Sequence, residues 1–188
     1  HRFFSTNKRK FIVADTPGRE QYTRNMLTGA SSADVAVILI DARKGVLEQT
    51  KRHSFLTSLV GIKNVIVAVN KMDLINYKKN KYELIVNAYK SFAKKLNFDS
   101  VHYIPVSALN GDNIIDSTKN LCWFKGPTLI SLLETINVEN LDNTFVMPIQ
   151  NVIRPNLDFR AFCGRGSSGM IEIGQKVRSL PSGKVAKI

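Results

Sequence analysis

A chain of 188 residues with 27 Lys and Arg against 15 Asp and Glu is long enough for one good core and part of a second domain. Its 44% hydrophobic content excludes a disordered tail, and no apolar run approaches the roughly 18 residues of a membrane span, so no membrane association is expected. The net charge of +12 is scattered in pairs and triplets such as Lys8-Arg9-Lys10 and Lys94-Lys95, without the interleaved aromatics of a stacking platform; no nucleic-acid partner is expected. Cys122 and Cys163 are too few for a disulfide framework and lack zinc-ligand spacing. With no signal-peptide pattern, the expected location is cytoplasmic. The chain opens on His1 rather than Met and reads as a piece of a longer polypeptide.

Taken in order, four short apolar runs each end on a polar residue. Phe11–Ala14 ends on Asp15, Val35–Ile40 on Asp41, Val65–Val69 on Asn70, and His102–Val106 on Ser107. Continuous rather than alternating hydrophobicity predicts strands buried on both faces. Helical segments are expected near 20–30, 47–60, 81–96 and 127–136, which makes a doubly wound, mostly parallel α/β sheet over residues 1–136. Ligands of such sheets sit at the carboxyl ends of the strands, where Asp15, Asn70 and Ser107 fall. Residues 137–143 are polar and helix-poor, a linker. From Thr144 to Ile188 a strand at 145–153 and Gly-rich turns predict the start of a small antiparallel β-barrel. The chain reads as cut at both ends.

Three motifs lie on these strand ends. Asp15-Thr16-Pro17-Gly18 suits a magnesium–phosphate site: Asp15 can hold Mg²⁺ through a water, Pro17 stiffens the approach, and Gly18 can bring its backbone N–H against a terminal phosphate. Asn70-Lys71-Met72-Asp73 suits guanine. The Asp73 carboxylate can accept the ring N–H and the exocyclic amine on one edge of the base. Adenine offers an acceptor there, and an unpaired buried acceptor costs about 1–3 kcal/mol. The Lys71 stem can lie along the base, and the Asn70 amide can tie the loop to its neighbours. Ser107-Ala108-Leu109 is small enough to let backbone N–H groups reach the guanine carbonyl oxygen. Alone, each of the first two is also an ordinary turn, and Ser107-Ala108-Leu109 is nearly uninformative. In this order on successive strand ends they predict a GTP-binding domain. A phosphate-cradling G-x-x-x-x-G-K-[ST] loop is absent from these residues, so the chain alone is expected to bind GTP weakly or not at all.

The runs Phe3–Gly18, Gln21–Met26, Thr28–Ser31, Ile40–Val46, Gly126–Leu129 and Arg154–Arg160 resemble the GTPase (large) subunit of bacterial sulfate adenylyltransferase, a translation-factor-like GTPase. The resemblance covers essentially the whole chain. It implies a P-loop-GTPase-type sheet, here without its N-terminal strand and phosphate loop, with GTP and Mg²⁺ as cofactors. It further implies coupling of GTP hydrolysis to the uphill formation of adenosine 5′-phosphosulfate and pyrophosphate from ATP and sulfate, and a small catalytic subunit as partner. Tyr22, Arg24 and Asn25 are the expected relay to that partner. The alternatives are an elongation-type GTPase delivering aminoacyl-tRNA and a scaffold that has lost hydrolysis.

The sequence departs from the family at one expected catalytic position. Members carry His directly after Asp-Thr-Pro-Gly, whereas this chain has Arg19. Arg is not a base near neutrality, although it can stabilise transition-state charge. Intrinsic hydrolysis in the intact protein is therefore expected to be slow, and Arg19→His to raise it; single-turnover rates that do not change in that variant would refute this assignment.

Overall fold

The computed structural model describes residues 2–16, 23–31, 33–138 and 144–188. Pro17, Gly18, Arg19 and Tyr22 lie outside the described residues, as do the side chains of Arg24 and Asn25.

Three parallel strands form the frame: β1 (Val35–Asp41), β2 (Asn64–Asn70) and β3 (Ser100–Pro105), with β2 in the middle. The register sets Asp41 beside Asn70 and Val69 beside Pro105, so the strand ends finish at one level. Val65 to Val69 are fully buried. The period of two in a strand splits them between two cores. Val65, Val67 and Val69 join Ile38, Ile40 and Tyr89 on one side. Ile66 and Ala68 join Ile104, Val106, Leu132 and Ile136 on the other.

Helix α1 (Glu48–Val60) and helix α2 (Lys79–Ala93) are crossovers between the parallel strands. The buried residues of α1 are small and polar: Thr50, Ser54 and Thr57. Each hydroxyl finds an acceptor or donor at hand. Ser54 Oγ donates to Thr50 O (2.8 Å) and Thr57 Oγ1 to His53 O (2.8 Å), while the buried Tyr89 hydroxyl on α2 donates to Ser54 Oγ (2.8 Å). That hydroxyl chain links the two helices. Helix α3 (Leu129–Thr135) places Leu132 over the opposite face of the sheet, and its first turn is capped by Thr128 Oγ1 accepting from Ser131 N (3.3 Å).

The first of the four apolar runs departs from expectation. Phe11 to Val13 belongs to a two-stranded antiparallel hairpin of β4 (Arg2–Ser5) and β5 (Lys10–Val13), not to the parallel sheet. Ile12 is 69% exposed. One edge of β5 pairs with β4, and stacking of Phe4 on Phe11 (4.7 Å between centroids) rewards that pairing. The turn of the hairpin is tied to the end of α3. Arg9 Nη1 donates to Leu133 O and Ile136 O, each at 2.9 Å, and Lys8 pairs with Glu134 at 3.2 Å. A cation there satisfies carbonyls that the helix end leaves orphaned. Helix α4 (Thr23–Ala30) packs tightly on the segment after β5: a Cβ on Gly29 would come within 3.0 Å of Thr16 Cγ2.

Residues His1–Val138 and Glu139–Ile188 are separate compact units. In the second, β6 (Asn151–Ile153) pairs with β7 (Ala161–Cys163) and β8 (Lys176–Arg178) with β9 (Val185–Lys187), all antiparallel. The strand expected over 145–153 is reduced to β6 and one bridge between Val146 and Ser168. Pro148 interrupts it, since proline has no N–H for a ladder. No described residue of this unit is buried.

Ile66 and Tyr89 separate two kinds of core contribution. Ile66→Ala is expected to lower stability by about 2–5 kcal/mol through lost contacts and a cavity. Tyr89→Phe removes one hydrogen bond, yet Ser54 keeps Thr50 O as acceptor, so about 1 kcal/mol is expected. Urea unfolding of both variants checks the ranking.

Candidate functional site

The ends of β1, β2 and β3 carry the site. Asn70 closes β2, and its Oδ1 accepts two backbone N–H groups, from Lys71 (2.7 Å) and from Ala108 (3.0 Å). One oxygen thus joins the loop after β2 to the loop after β3. Lys71 is in the left-handed region (φ 65°), a conformation that costs a non-glycine residue roughly 1–3 kcal/mol unless its surroundings hold it. The Asn70 bond is that restraint. A second tie runs from Met72 N to Val106 O (3.2 Å), and the Met72 side chain turns fully into the core against β1 and β2. Met72 therefore reaches the site through its backbone alone.

Asp73 follows on the first turn of a 3₁₀ segment, Met72–Ile75. The buried Ser107 hydroxyl donates to its Oδ1 at 2.6 Å. That contact fixes the carboxylate plane, while among the described residues no hydrogen bond occupies Oδ2. A planar ligand with two adjacent N–H donors matches such a carboxylate. Ser107 is itself fixed by a pair of backbone bonds with Asp112, at 3.0 and 3.1 Å. Asp112, nearly buried, accepts from the Tyr77 hydroxyl and from Asn120 Nδ2. Burial and the Asp112 carboxylate beside it push the Tyr77 phenol above its usual range. Trp123 Nε1 then donates to Tyr77 O (2.9 Å), so the loop after Asp73 is held at both ends.

A cavity of about 380 Å³ opens here, lined by Arg43, Asn70, Lys71, Asp73, Leu74 and Leu109. That is at the small end of ligand pockets and open to solvent. Leu109 is 87% exposed and forms one lip. Neither Arg43 nor Leu74 was expected from the motifs. The signal that could have found Arg43 is Asp41, the polar end of the second apolar run. Asp41 Oδ1 accepts from Arg43 N (2.9 Å) and Nε (3.0 Å), and Oδ2 from Arg43 Nη2 (2.6 Å) and Lys71 Nζ (3.0 Å). Gly45, at φ +71°, donates to Asp41 O (2.9 Å) and closes the turn that carries Arg43.

The structure brings Asn70–Asp73 and Ser107–Leu109 together. Asp15 is exposed just beyond β5, and among the described residues it shares no hydrogen bond or ion pair with them. Thr16 is half-buried against Gly29. Among the described residues no three His, Cys, Asp or Glu side chains group as metal ligands. A magnesium ion that keeps most of its waters and arrives with a nucleotide's phosphates requires only one or two protein carboxylates, so a single exposed Asp15 fits it. No described helix is long and apolar enough to cross a membrane.

Comparison with known proteins adds the lineage. The elongation factor Tu GTP binding domain matches residues 1–144. The chain belongs to that family. Among its relatives in the family, sulfate adenylyltransferase subunit 1 of Bacteroides thetaiotaomicron is 53% identical over 190 aligned positions, covering the whole chain and 39% of the relative. The protein of the same name from Aeromonas hydrophila is 56% identical, with 40% of its length covered. The chain thus spans about two fifths of the length of these relatives. Among solved structures, sup35 complexed with GDP shares the family fold with a TM-score of 0.62 and 27% identity, over 98% of this chain and 46% of that one. The structure of sup35 complexed with GMPPNP gives 0.60 and 28% over 99% and 46%.

The Asp41 carboxyl gives the site a pH signature. Its hydrogen bonds from Arg43, assisted by Lys71, hold its pKa far below the usual carboxylate range, against the opposing effect of burial. A depressed folded pKa contributes stability above the ordinary Asp value of about 3.9 and loses it only as pH falls through the lower folded value. The Asp41 carboxyl carbon is therefore expected to titrate well below pH 3.9 by NMR, and to move back towards it in Arg43→Gln.

Proposed function

We propose that the site binds the guanine base of GTP. The observation that carries this reading is the Asp73 carboxylate, held by Ser107 through Oδ1 and flanked by the Asn70 bridge. Guanine N1–H and its 2-amino group would share that carboxylate, the Lys71 stem would lie along the base, and the backbone at Ala108 and Leu109 would face the carbonyl oxygen. Asp15 would hold the magnesium that the triphosphate brings. Thr16, Pro17 and Gly18 would meet the terminal phosphate, and Arg19 would offer charge to the transition state in place of a basic His. When bound, the magnesium–triphosphate supplies the hydrolysable phosphoanhydride; the chain's own part is to select the base and fix its orientation.

For the protein as a whole, we propose the large subunit of a sulfate adenylyltransferase, a cytoplasmic nucleotidyltransferase of sulfate assimilation and cysteine biosynthesis. GTP hydrolysis would be coupled to adenosine 5′-phosphosulfate formation on a small catalytic partner subunit. Identity of 53–56% along the entire chain supports this, against 27–28% for the sup35 structures.

Two arms test the proposal. In Asp73→Asn, the amide NH₂ opposes the guanine donors and complements the 2-oxo group of xanthine. GMP binding to the chain, followed by ¹⁵N-¹H NMR, should weaken by roughly tenfold or more, the equivalent of about 1–3 kcal/mol, while XMP binding strengthens. Equal loss of both nucleotides would count against base recognition. In the intact protein, GTP turnover should rise with ATP, sulfate and the small subunit present; stimulation by ribosomes instead would favour tRNA delivery.

A further inference from the structure

We infer that Asp41 is a positioning residue of the nucleotide pocket: it anchors Lys71 and Arg43 together, so that β1 as well as β2 and β3 builds the site. The inference rests on the guanine reading of Asn70–Asp73 and goes beyond it, since neither Asp41 nor Arg43 belongs to the three motifs.

Geometry carries the argument. Asp41 and Asn70 are register partners at the ends of adjacent parallel strands. The residue after Asn70 must then pass close to the Asp41 side chain, and Lys71 Nζ lies 3.0 Å from Asp41 Oδ2. Arg43 reaches the same carboxylate from the turn after β1, through Nε and Nη2. The Asp41 side chain is only 18% exposed, whereas those of Lys71 and Arg43 are 47% and 46% exposed. The fixed partner is therefore the carboxylate, and the cations are the groups being held. Both line the cavity that contains Asp73.

Ordering two long, half-exposed side chains against one carboxylate costs entropy. The same entropy matters differently in a pocket. A lysine already held in place when the ligand arrives does not have to be ordered by the ligand. The arginine fork is likewise flattened against one carboxylate, which presents a planar cation at the cavity wall. Asp41 thus acts on the ligand only through Lys71 and Arg43.

A mutant cycle on the full chain tests this, with GMP and AMP as probes and ¹⁵N-¹H NMR as readout. Wild type should prefer GMP. Asp41→Asn should weaken GMP binding by about three- to tenfold, and the same substitution in a background lacking both held cations, Lys71→Met with Arg43→Gln, should have under half that effect. The shrinking of the effect is what a merely structural role would not produce. Asp41→Ser supplies the same arm should the Asn variant lose its fold. Unchanged or tighter GMP binding in the Asp41 variant, or a full effect persisting without Lys71 and Arg43, overturns the inference while leaving guanine recognition intact. Failure of wild type to distinguish GMP from AMP removes the guanine reading and the inference with it.

Discussion

A single carboxamide oxygen, Asn70 Oδ1, holds the two loops of the site together by accepting the N–H groups of Lys71 and Ala108. It can do so because the strand that ends in Asn70 has every one of its five preceding side chains buried. A strand locked on both faces has no freedom to tilt or slide, and close packing transmits that rigidity to its last residue. The loops then inherit their geometry from the core. Lys71 takes up its left-handed backbone, and Asp73 and Ser107 meet at 2.6 Å, with no long loop to order. Site and core are in this sense one object.

Around that centre the polar groups are arranged in layers. Ser107 orients Asp73, Asp112 orients Ser107, and Tyr77 and Asn120 donate to Asp112. A buried polar network is costly when partly satisfied and specific when complete. Its outer end meets an aromatic cluster. Trp123, which donates to Tyr77 O, packs with Tyr82 and Phe124 at ring-centroid distances of 5.4 to 6.3 Å. The aromatic packing supports the bonds, and the bonds fix the carboxylate that faces the cavity. Sites built on such rigid support hold their geometry better than sites on free loops.

How much of this was legible in the sequence depended on whether the signal was local. The three central strands were, because a continuous apolar run that closes on a polar residue favours a strand; burial on both faces holds for Val65–Val69, whereas Val35–Asp41 leaves Val37 and Leu39 exposed on one face. The meeting of Asn70–Asp73 with Ser107–Leu109 was legible too, since both motifs close neighbouring runs. The run Phe11–Ala14 looked the same but entered a hairpin with Arg2–Ser5. Hydrophobicity records that a segment wants cover and not which neighbour supplies it. Met72 sits inside the Asn70–Asp73 motif, yet its side chain belongs to the core. Asp41 and Arg43 were missed as site residues because their meeting with Lys71 depends on register between strands 29 residues apart in sequence (Asp41 to Asn70), which no periodicity reveals. The same blindness applies to Arg9, whose partners at the end of α3 lie more than 120 residues away.

That register has a consequence for how errors in folding are read out. Sliding β1 by one residue against β2 would exchange its inward and outward side chains, exposing Ile38 and Ile40 and burying the faces of Val37 and Leu39. It would also carry Asp41 away from Asn70 and leave the Lys71 ammonium without its anion. A mispaired chain therefore fails twice, once in its core and once in its pocket. A nucleotide bound as proposed would select for correct strand alignment, stabilising the right register by mass action over any slipped one.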